Sequence, residues 1–174
     1  RLLDIGREQV EKQAPRPFGQ RLLRRLLIEV LAYPGRFTPL LRVGQGLRPL
    51  LPAALREKIP VSRSVRRRPA VPDTARRVLV LEGCVQPGLA PEINLALEAV
   101  LQPLGIGVQR CAAAGCCGAL PHHLSDSERA REMARTNIDA WYPALSEGAE
   151  ALVVTASGCG AHLHDYPHLL ADDP

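Results

Sequence analysis

The sequence has few aromatic residues and no long hydrophobic run. Aromatic side chains make up only 3% of its 174 residues. Nucleic-acid bases stack on aromatic side chains, and the basic first half offers only Phe18, Tyr33 and Phe37, so we expect no nucleic-acid partner. The longest apolar stretch, 26–33, contains Glu29 and is far shorter than the roughly 20 residues of a membrane-spanning helix. The composition is that of a globular protein.

The start of the chain lacks two further features. The first residues, Arg-Leu-Leu-Asp-Ile-Gly-Arg, do not have the charged and then apolar layout of a secretory signal, so we expect a cytoplasmic protein. The chain also opens with Arg in place of Met. We therefore interpret the sequence as part of a longer protein.

Charge is divided between the two halves of the chain. Residues 1–76 hold 17 Lys and Arg against six Asp and Glu, whereas residues 77–174 hold five against 12. Such a division suggests two units with different partners. We expect a helical segment over 1–58, a basic Arg- and Pro-rich linker over 59–76, and an α/β domain over 77–174. The linker suits a solvated connector or a docking surface for an acidic partner subunit.

Short helices broken by prolines are predicted for the first half. Leucines recur at helical spacing in Phe18–Ala32, and Pro34-Gly35 ends that helix because proline has no N–H to continue the hydrogen bonds. Leu2–Gln13 is a second helix. Thr38–Val43 and Pro52–Lys58 are predicted as shorter helices.

The second half follows a β-α-β-α-β pattern. Runs of β-branched and leucine residues predict strands at Val78–Leu81, Ile106–Gln109 and Ala151–Ala156. Helical patterns separate the strands, and right-handed crossovers then give a small parallel sheet. The predicted fold class is therefore α/β, preceded by the short-helix segment and the linker.

Each helix of this half has its own start signal. Pro91 opens the first helix, which Gly105 closes, and Ser125 with Glu128 forms a capping box for the second. A last helix or turn is predicted after Gly160. Helical spacing predicts the buried residues of the first two helices as Ile93, Leu97, Val100, Leu101 and Leu104, and as Ala130, Met133, Ala134, Ile138, Trp141 and Leu145.

Four of the five cysteines follow the predicted strands. Cys84 comes after the first strand, Cys116 and Cys117 after the second, and Cys159 after the third. Loops at the carboxyl ends of parallel strands gather at one sheet edge, so we expect these thiols to converge there. Glycines flank all four and allow the loops to approach a compact ligand closely. Cys111 lies outside this pattern, and we interpret it as a buried, inert cysteine.

Converging thiols at a sheet edge suggest a metal site. Disulfides would suit a secreted chain, but reduced cytosolic thiols favour metal binding or catalysis. A structural zinc site, with four thiolates or with three and His162, and an iron–sulfur cluster both fit soft sulfur ligands. His122 and His123 are weaker candidate ligands, and no pattern supports His164 or His168.

Three sequence motifs resemble the cysteine-rich CCG domain family. They are Leu81-Glu82-Gly83-Cys84, Gly115-Cys116-Cys117-Gly118-Ala119 and Ala156-Ser157-Gly158-Cys159-Gly160. Within that family the chain is similar to the glycolate oxidase iron–sulfur subunits, which the segments 2–7 and 137–141 also match. The 31 residues between the first cysteine and the Cys-Cys pair fit the family repeat.

The resemblance implies a set of ligands. They are Cys84, Cys116, Cys117 and Cys159, around an iron–sulfur cluster of the 4Fe–4S type. The family's closing Cys-x-x-Cys is replaced here by Cys159-Gly160-Ala161-His162. His162 is the candidate for the place of the last thiolate, and a surface or capping histidine is the alternative. Zinc is the alternative metal.

The resemblance also implies a function and partners. Such a subunit passes electrons from FAD-containing subunits, which oxidise glycolate to glyoxylate, towards quinone at the inner face of the cytoplasmic membrane. A ferredoxin-like region and a second repeat belong to the family but not to this sequence. We expect an electron relay without catalytic residues of its own, peripheral to that membrane. The alternatives are a subunit of a lactate or other 2-hydroxyacid dehydrogenase, and a zinc-stabilised assembly module without a redox role.

Overall fold

The computed structural model describes residues 2–14, 16–61 and 74–171. The helices before the first strand are α1 (Leu2–Gln13), α2 (Phe18–Leu31), α3 (Pro34–Leu47) and α4 (Ala53–Arg56). The strands are β1 (Arg76–Leu81), β2 (Ile106–Arg110) and β3 (Leu152–Val154). The remaining helices are α5 (Gln86–Leu89), α6 (Glu92–Leu101), α7 (Ala119–His123), α8 (Ser127–Ser146), α9 (Ser157–His164) and α10 (Tyr166–Leu169). Within these ranges, no helix is long and apolar enough to cross a membrane.

The three strands form a parallel sheet in the order β2-β1-β3, which confirms the predicted α/β class. The chain runs from β1 to one edge and then crosses to the other. Right-handed crossovers therefore place α6 and α8 on opposite faces of the sheet. Leu79 and Leu81 of the central strand are buried in one cluster with Trp141 of α8. Because the direction of the chain reverses at β1, the crevice between β1 and β3 at the carboxyl edge is where such sheets bind ligands.

The strands differ from the prediction at their ends. β1 begins at Arg76, within the predicted linker, because Arg76 and Arg77 pair with Ile106 and Gly107. Residues 62–73 of the predicted linker lie outside the described residues. β3 is shorter than the predicted Ala151–Ala156, since its pairing with β1 covers only three residues.

The predicted helix over Thr38–Val43 is too short. The structure has one helix, α3, from Pro34 to Leu47. Pro34 occupies its first turn, where a missing N–H leaves no intrahelical bond unmade and the proline φ suits a helix. Proline thus starts α3, while α2 has already ended at Leu31. Helical spacing alone could not show that Pro39 is tolerated inside α3.

Helical spacing also assigned part of the core wrongly. In the predicted helix between Pro91 and Gly105 the buried residue is Asn94 of α6, whereas Ile93, Val100 and Leu104 are exposed. In α8, Ile138 and Leu145 are also exposed. A three-stranded sheet is narrow and covers only one stripe of each helix. The buried residues of α8 are Ala130, Ala134, Asn137, Trp141 and Ala144.

The start of α8 corrects the predicted capping box. Asp126 is the N-cap, and its carboxylate accepts a hydrogen bond from the backbone N–H of Arg129 at 3.3 Å. Ser125 has a φ of 68° and lies in a left-handed turn before the helix. Asp and Ser cap equally well, so the choice between them follows from the turn and not from side-chain preference.

The amino-terminal helices pack against the α/β domain. α3 contacts α5, and Gly88 of α5 is so close that an added Cβ would lie 3.2 Å from the Thr38 hydroxyl and 3.3 Å from Phe37. The guanidinium of Arg24 in α2 donates a hydrogen bond to the carbonyl of Leu124 at 3.2 Å. The helical segment and the α/β domain therefore share an interface.

Candidate metal centre

The structure brings four predicted cysteines together at the carboxyl edge of the sheet. Cys84 follows β1, and Cys116 and Cys117 lie in the loop between β2 and α7. Cys159 lies in the first turn of α9, which begins at Ser157 and not after Gly160 as predicted. Cys111 packs partly buried against the main core. The strand-end pattern thus identified the residues that converge.

The four thiols form a series of pairwise contacts. Cys116 lies within hydrogen-bonding reach of both Cys84 and Cys117, and Cys159 is within reach of Cys117. Hydrogen bonds from Cys116 and then Cys159 lower the pKa of Cys117 to about 3. The pKa values of Cys116 and Cys159 are raised because each thiol donates to a neighbouring thiolate. The site therefore combines thiolate charge with protons that a metal would displace.

Backbone N–H groups also point at the sulfurs. The Gly118 nitrogen lies 3.5 Å from Sγ of Cys116 and donates to it. The backbone N–H groups of Val85 and Ala119 help to lower the pKa values of Cys84 and Cys117. Gly118 has a φ of 88°, and an added Cβ would lie 3.0 Å from the carbonyl oxygen of Ala130. Only glycine fits this turn without strain.

Two buried polar side chains hold the Cys-Cys loop, and sequence reasoning missed both roles. Asn137 Oδ1 accepts from the Gly115 N–H at 2.8 Å, and its Nδ2 donates to the Cys116 carbonyl at 2.8 Å. The Tyr166 hydroxyl donates to the Cys117 carbonyl at 2.8 Å. Asn137 lies within the segment that resembles the family. That resemblance was the only signal in the sequence, and it did not indicate what Asn137 does.

A second polar cluster connects the loops of Cys84 and Cys159. Gln86 Nε2 donates to Asn94 Oδ1 at 2.9 Å and to Thr155 Oγ1 at 2.7 Å. The Thr155 hydroxyl donates to Asn94 Oδ1 at 2.8 Å. Gln86 follows Cys84 closely, and Thr155 comes directly after β3, just before α9. These hydrogen bonds therefore hold the two sides of the crevice in one arrangement.

His162 lies beside the thiols, one turn after Cys159. It is only 5% exposed, and its Nε2 has no hydrogen-bond partner within the part of the chain that the structure describes. That nitrogen lies 3.4 Å from the point where a Cβ on Gly118 would be. Burial lowers the pKa of His162, which favours the neutral imidazole, the form that binds a metal. The ring of His122 is 5.2 Å away, centre to centre.

Helix α2 covers the cysteine site from the other side. Ile28 and Ala32 are buried in one cluster with Cys116, and Cys84 packs against that cluster. The Glu29 carboxylate forms ion pairs with Arg36 and with Arg129 of α8. The basic first half is therefore part of the wall around the thiols.

The donor set fits an iron–sulfur cluster. Among residues 2–14, 16–61 and 74–171, no three His, Cys, Asp or Glu side chains are arranged as ligands of one metal ion. An iron–sulfur cluster contains several iron atoms, and its cysteine ligands bind different ones. The four thiols therefore need not surround a single metal ion. A cavity of about 310 Å³ adjoins Cys116 between the α2–α3 corner and α8.

Comparisons with known proteins place the chain in a cysteine-rich family. The family described as CCG, cysteine-rich domain, matches residues 78–164. The chain is 48% identical over 173 residues to the glycolate oxidase iron–sulfur subunit of Escherichia coli K12. It is 33% identical over 120 residues to a Bacillus subtilis protein named "Probable glycolate oxidase iron-sulfur subunit". It is 28% identical over 98 residues to lactate utilization protein A of Bacillus thuringiensis.

Each match covers a larger share of this chain than of the relative. The E. coli alignment covers 99% of this chain but 42% of the relative. The B. subtilis alignment covers 67% of this chain and 26% of that relative, and the B. thuringiensis alignment covers 56% and 39%. The chain thus spans less than half the length of these relatives. No solved structure matches it.

Proposed function

Since the chain belongs to the family of the cysteine-rich CCG domain, we propose that Cys84, Cys116, Cys117 and Cys159 hold an iron–sulfur cluster of the 4Fe–4S type. The convergence of these four thiols at the crevice of the sheet carries the proposal. When bound, such a cluster supplies one-electron transfer. His162 is the additional ligand, because it is buried beside the thiols and its Nε2 has no hydrogen-bond partner among the described residues.

The protein acts as an electron-transfer subunit of a flavin-dependent glycolate oxidase. The support for this role is the similarity, over 99% of the chain, to a protein named as the iron–sulfur subunit of glycolate oxidase. The residues of this chain position the sulfurs, donate hydrogen bonds to them and exclude water. FAD and substrate oxidation belong to partner subunits, and electrons continue towards quinone. The similarity to lactate utilization protein A supports lactate as the second candidate substrate of the complex.

The test is the metal content of the chain purified without oxygen. Iron together with acid-labile sulfide is expected in the parent chain and in Cys111→Ser, the matched control at a cysteine outside the site. Both should be lost in Cys116→Ser/Cys117→Ser. Zinc without sulfide would replace the proposal by a zinc-stabilised assembly module. Equal iron and sulfide in all three proteins would show that the cluster is not bound by Cys116 and Cys117.

The outer face of α2 supports peripheral attachment to the inner face of the cytoplasmic membrane. Ile28 faces the cysteine site, whereas Leu22, Leu23, Leu26 and Leu27 lie on exposed positions of the same helix. Phe18 at the start of α2 is 72% exposed. Between residues 18 and 56 there are seven arginines and one acidic residue, Glu29, which is ion-paired. Exposed leucines bordered by arginines are typical of surfaces that bind anionic lipid.

Vesicle sedimentation tests this attachment. The chain should bind vesicles that contain phosphatidylglycerol and should not bind vesicles of phosphatidylcholine alone. Leu23→Glu/Leu27→Glu should abolish binding. Val100→Glu/Leu104→Glu, which adds the same two charges at exposed apolar positions outside α2, should leave it unchanged. If the chain binds neither kind of vesicle, the membrane proposal fails, and the exposed apolar face of α2 would instead contact a partner protein such as a flavin subunit.

A further inference from the structure

The hydroxyl of Tyr166 is held in one orientation inside the core. It donates to the Cys117 carbonyl at 2.8 Å and accepts from Asn137 Nδ2 at 3.2 Å. A hydroxyl has a single hydrogen, so the donation from Asn137 leaves that hydrogen for the carbonyl. Both side chains are buried, which keeps water from competing for these bonds.

The Cys117 carbonyl belongs to the same peptide unit as the Gly118 N–H. The described residues contain no cis peptide bond, and in a trans unit the C=O and N–H point in opposite directions. With the carbonyl held by Tyr166, the N–H must point the other way. In that direction lies Sγ of Cys116, 3.5 Å from the Gly118 nitrogen.

We propose that Tyr166 is a positioning residue that aims the Gly118 N–H at the Cys116 sulfur and thereby raises the reduction potential of the cluster. The redox part rests on the proposed function, since it requires a cluster on Cys116. A hydrogen bond to a ligand sulfur stabilises the added negative charge of the reduced state. Tyr166 touches no reacting atom and acts only through the peptide plane.

Tyr166→Phe isolates this role. The ring packs edge-on against His162 with 5.7 Å between centres, and phenylalanine keeps that packing. Only the hydroxyl is lost. Tyr142→Phe is the matched control, because Tyr142 of α8 is 68% exposed.

The first measurement is a redox titration of the loaded chain, followed by visible absorption and electron paramagnetic resonance. Tyr166→Phe should shift the potential to more negative values and alter the resonance spectrum, while iron and sulfide content stay at the parent level. Tyr142→Phe should match the parent in all of these. An unchanged potential in Tyr166→Phe would overturn the inference.

The second measurement uses the metal-free chain and does not depend on the proposed function. Amide hydrogen exchange at Gly118, followed by nuclear magnetic resonance, should be several-fold faster in Tyr166→Phe than in Tyr142→Phe. Equal exchange rates would overturn the positioning role. If the parent chain holds no iron and sulfide, the proposed function fails, and this exchange rate alone decides whether Tyr166 orients the peptide.

Discussion

Ile28 packs on Cys116, although the two residues belong to opposite halves of the chain. The contact makes α2 a wall of the cysteine site. It also explains why Ile28 is the one residue of α2 that is fully buried, while the leucines around it are exposed.

Ile28→Ala should destabilise the chain and open the site. Removing a buried isoleucine side chain costs about 2–5 kcal/mol of the free energy of unfolding. Alkylation of Cys116 should become faster at the same time. Urea unfolding and peptide-level mass spectrometry measure the two effects. Leu23→Ala, on the exposed face, should change stability by less than about 0.5 kcal/mol. Equal effects of the two substitutions would contradict the packing of α2 on Cys116.

Gly118→Ala and Gly158→Ala should have effects of opposite sign. Gly118 has a φ of 88°, and its added Cβ would lie 3.0 Å from a backbone carbonyl, so we expect a loss of about 1–3 kcal/mol. Gly158 lies in α9 with nothing within 4 Å of an added Cβ. Alanine there should stabilise the chain by about 0.4–1 kcal/mol. Thermal unfolding compares the two variants. An equal loss of stability at both positions would argue against the left-handed turn at Gly118.

Thr155→Val should weaken the connection between the Cys84 and Cys159 loops. It removes the hydroxyl that bonds Gln86 and the buried Asn94, at a cost of about 1–3 kcal/mol. Thr136→Val is the control, because its exposed hydroxyl donates a hydrogen bond within its own helix, to the Glu132 carbonyl. Urea unfolding of both variants checks this, and equal stabilities would mean that the polar cluster contributes nothing.

The ion pairs of Glu29 predict a pH dependence. Hydrogen bonds from Arg129 and then Arg36 lower the pKa of Glu29 below its ordinary value of 4.5. A carboxylate with a lowered pKa contributes stability above its unfolded pKa and loses it as the pH falls through the folded pKa.

The stability difference between the parent chain and Glu29→Gln should thus be constant above about pH 5 and shrink at lower pH. Urea unfolding at several pH values measures it. The exposed Glu57→Gln is the control, and its difference from the parent should be small throughout. A Glu29→Gln difference that grows as the pH falls would have the wrong sign.

His162→Ala should lower the iron content of the chain if His162 is a ligand. His162→Cys should keep the iron, because it supplies a thiolate at the same position. His164→Ala is the control on the same helix and should match the parent. Iron and acid-labile sulfide analysis decides, and full iron content in His162→Ala would restrict the ligands to the cysteines.

Part of the site was predictable because it follows from local rules. Cys84, Cys116, Cys117 and Cys159 each follow a strand, and parallel strands end at the same edge. By contrast, nothing near Thr155 or Gln86 in sequence indicates that they bond each other, since a hydrogen bond between distant segments leaves no periodic pattern. Helical spacing assigned the buried face of α6 to apolar residues such as Ile93, but the buried residue is the neighbouring Asn94.

The sequence by itself determined the class of the sheet, the order of its elements and the four cysteines that meet. Strand and helix periodicity and the handedness of crossovers are enough for that. Only the tertiary structure decided that Asn137 and Tyr166 hold the Cys-Cys loop and that Ile28 covers it. These contacts depend on how α2, α8 and α10 pack, and packing depends on shape complementarity between segments far apart in the chain.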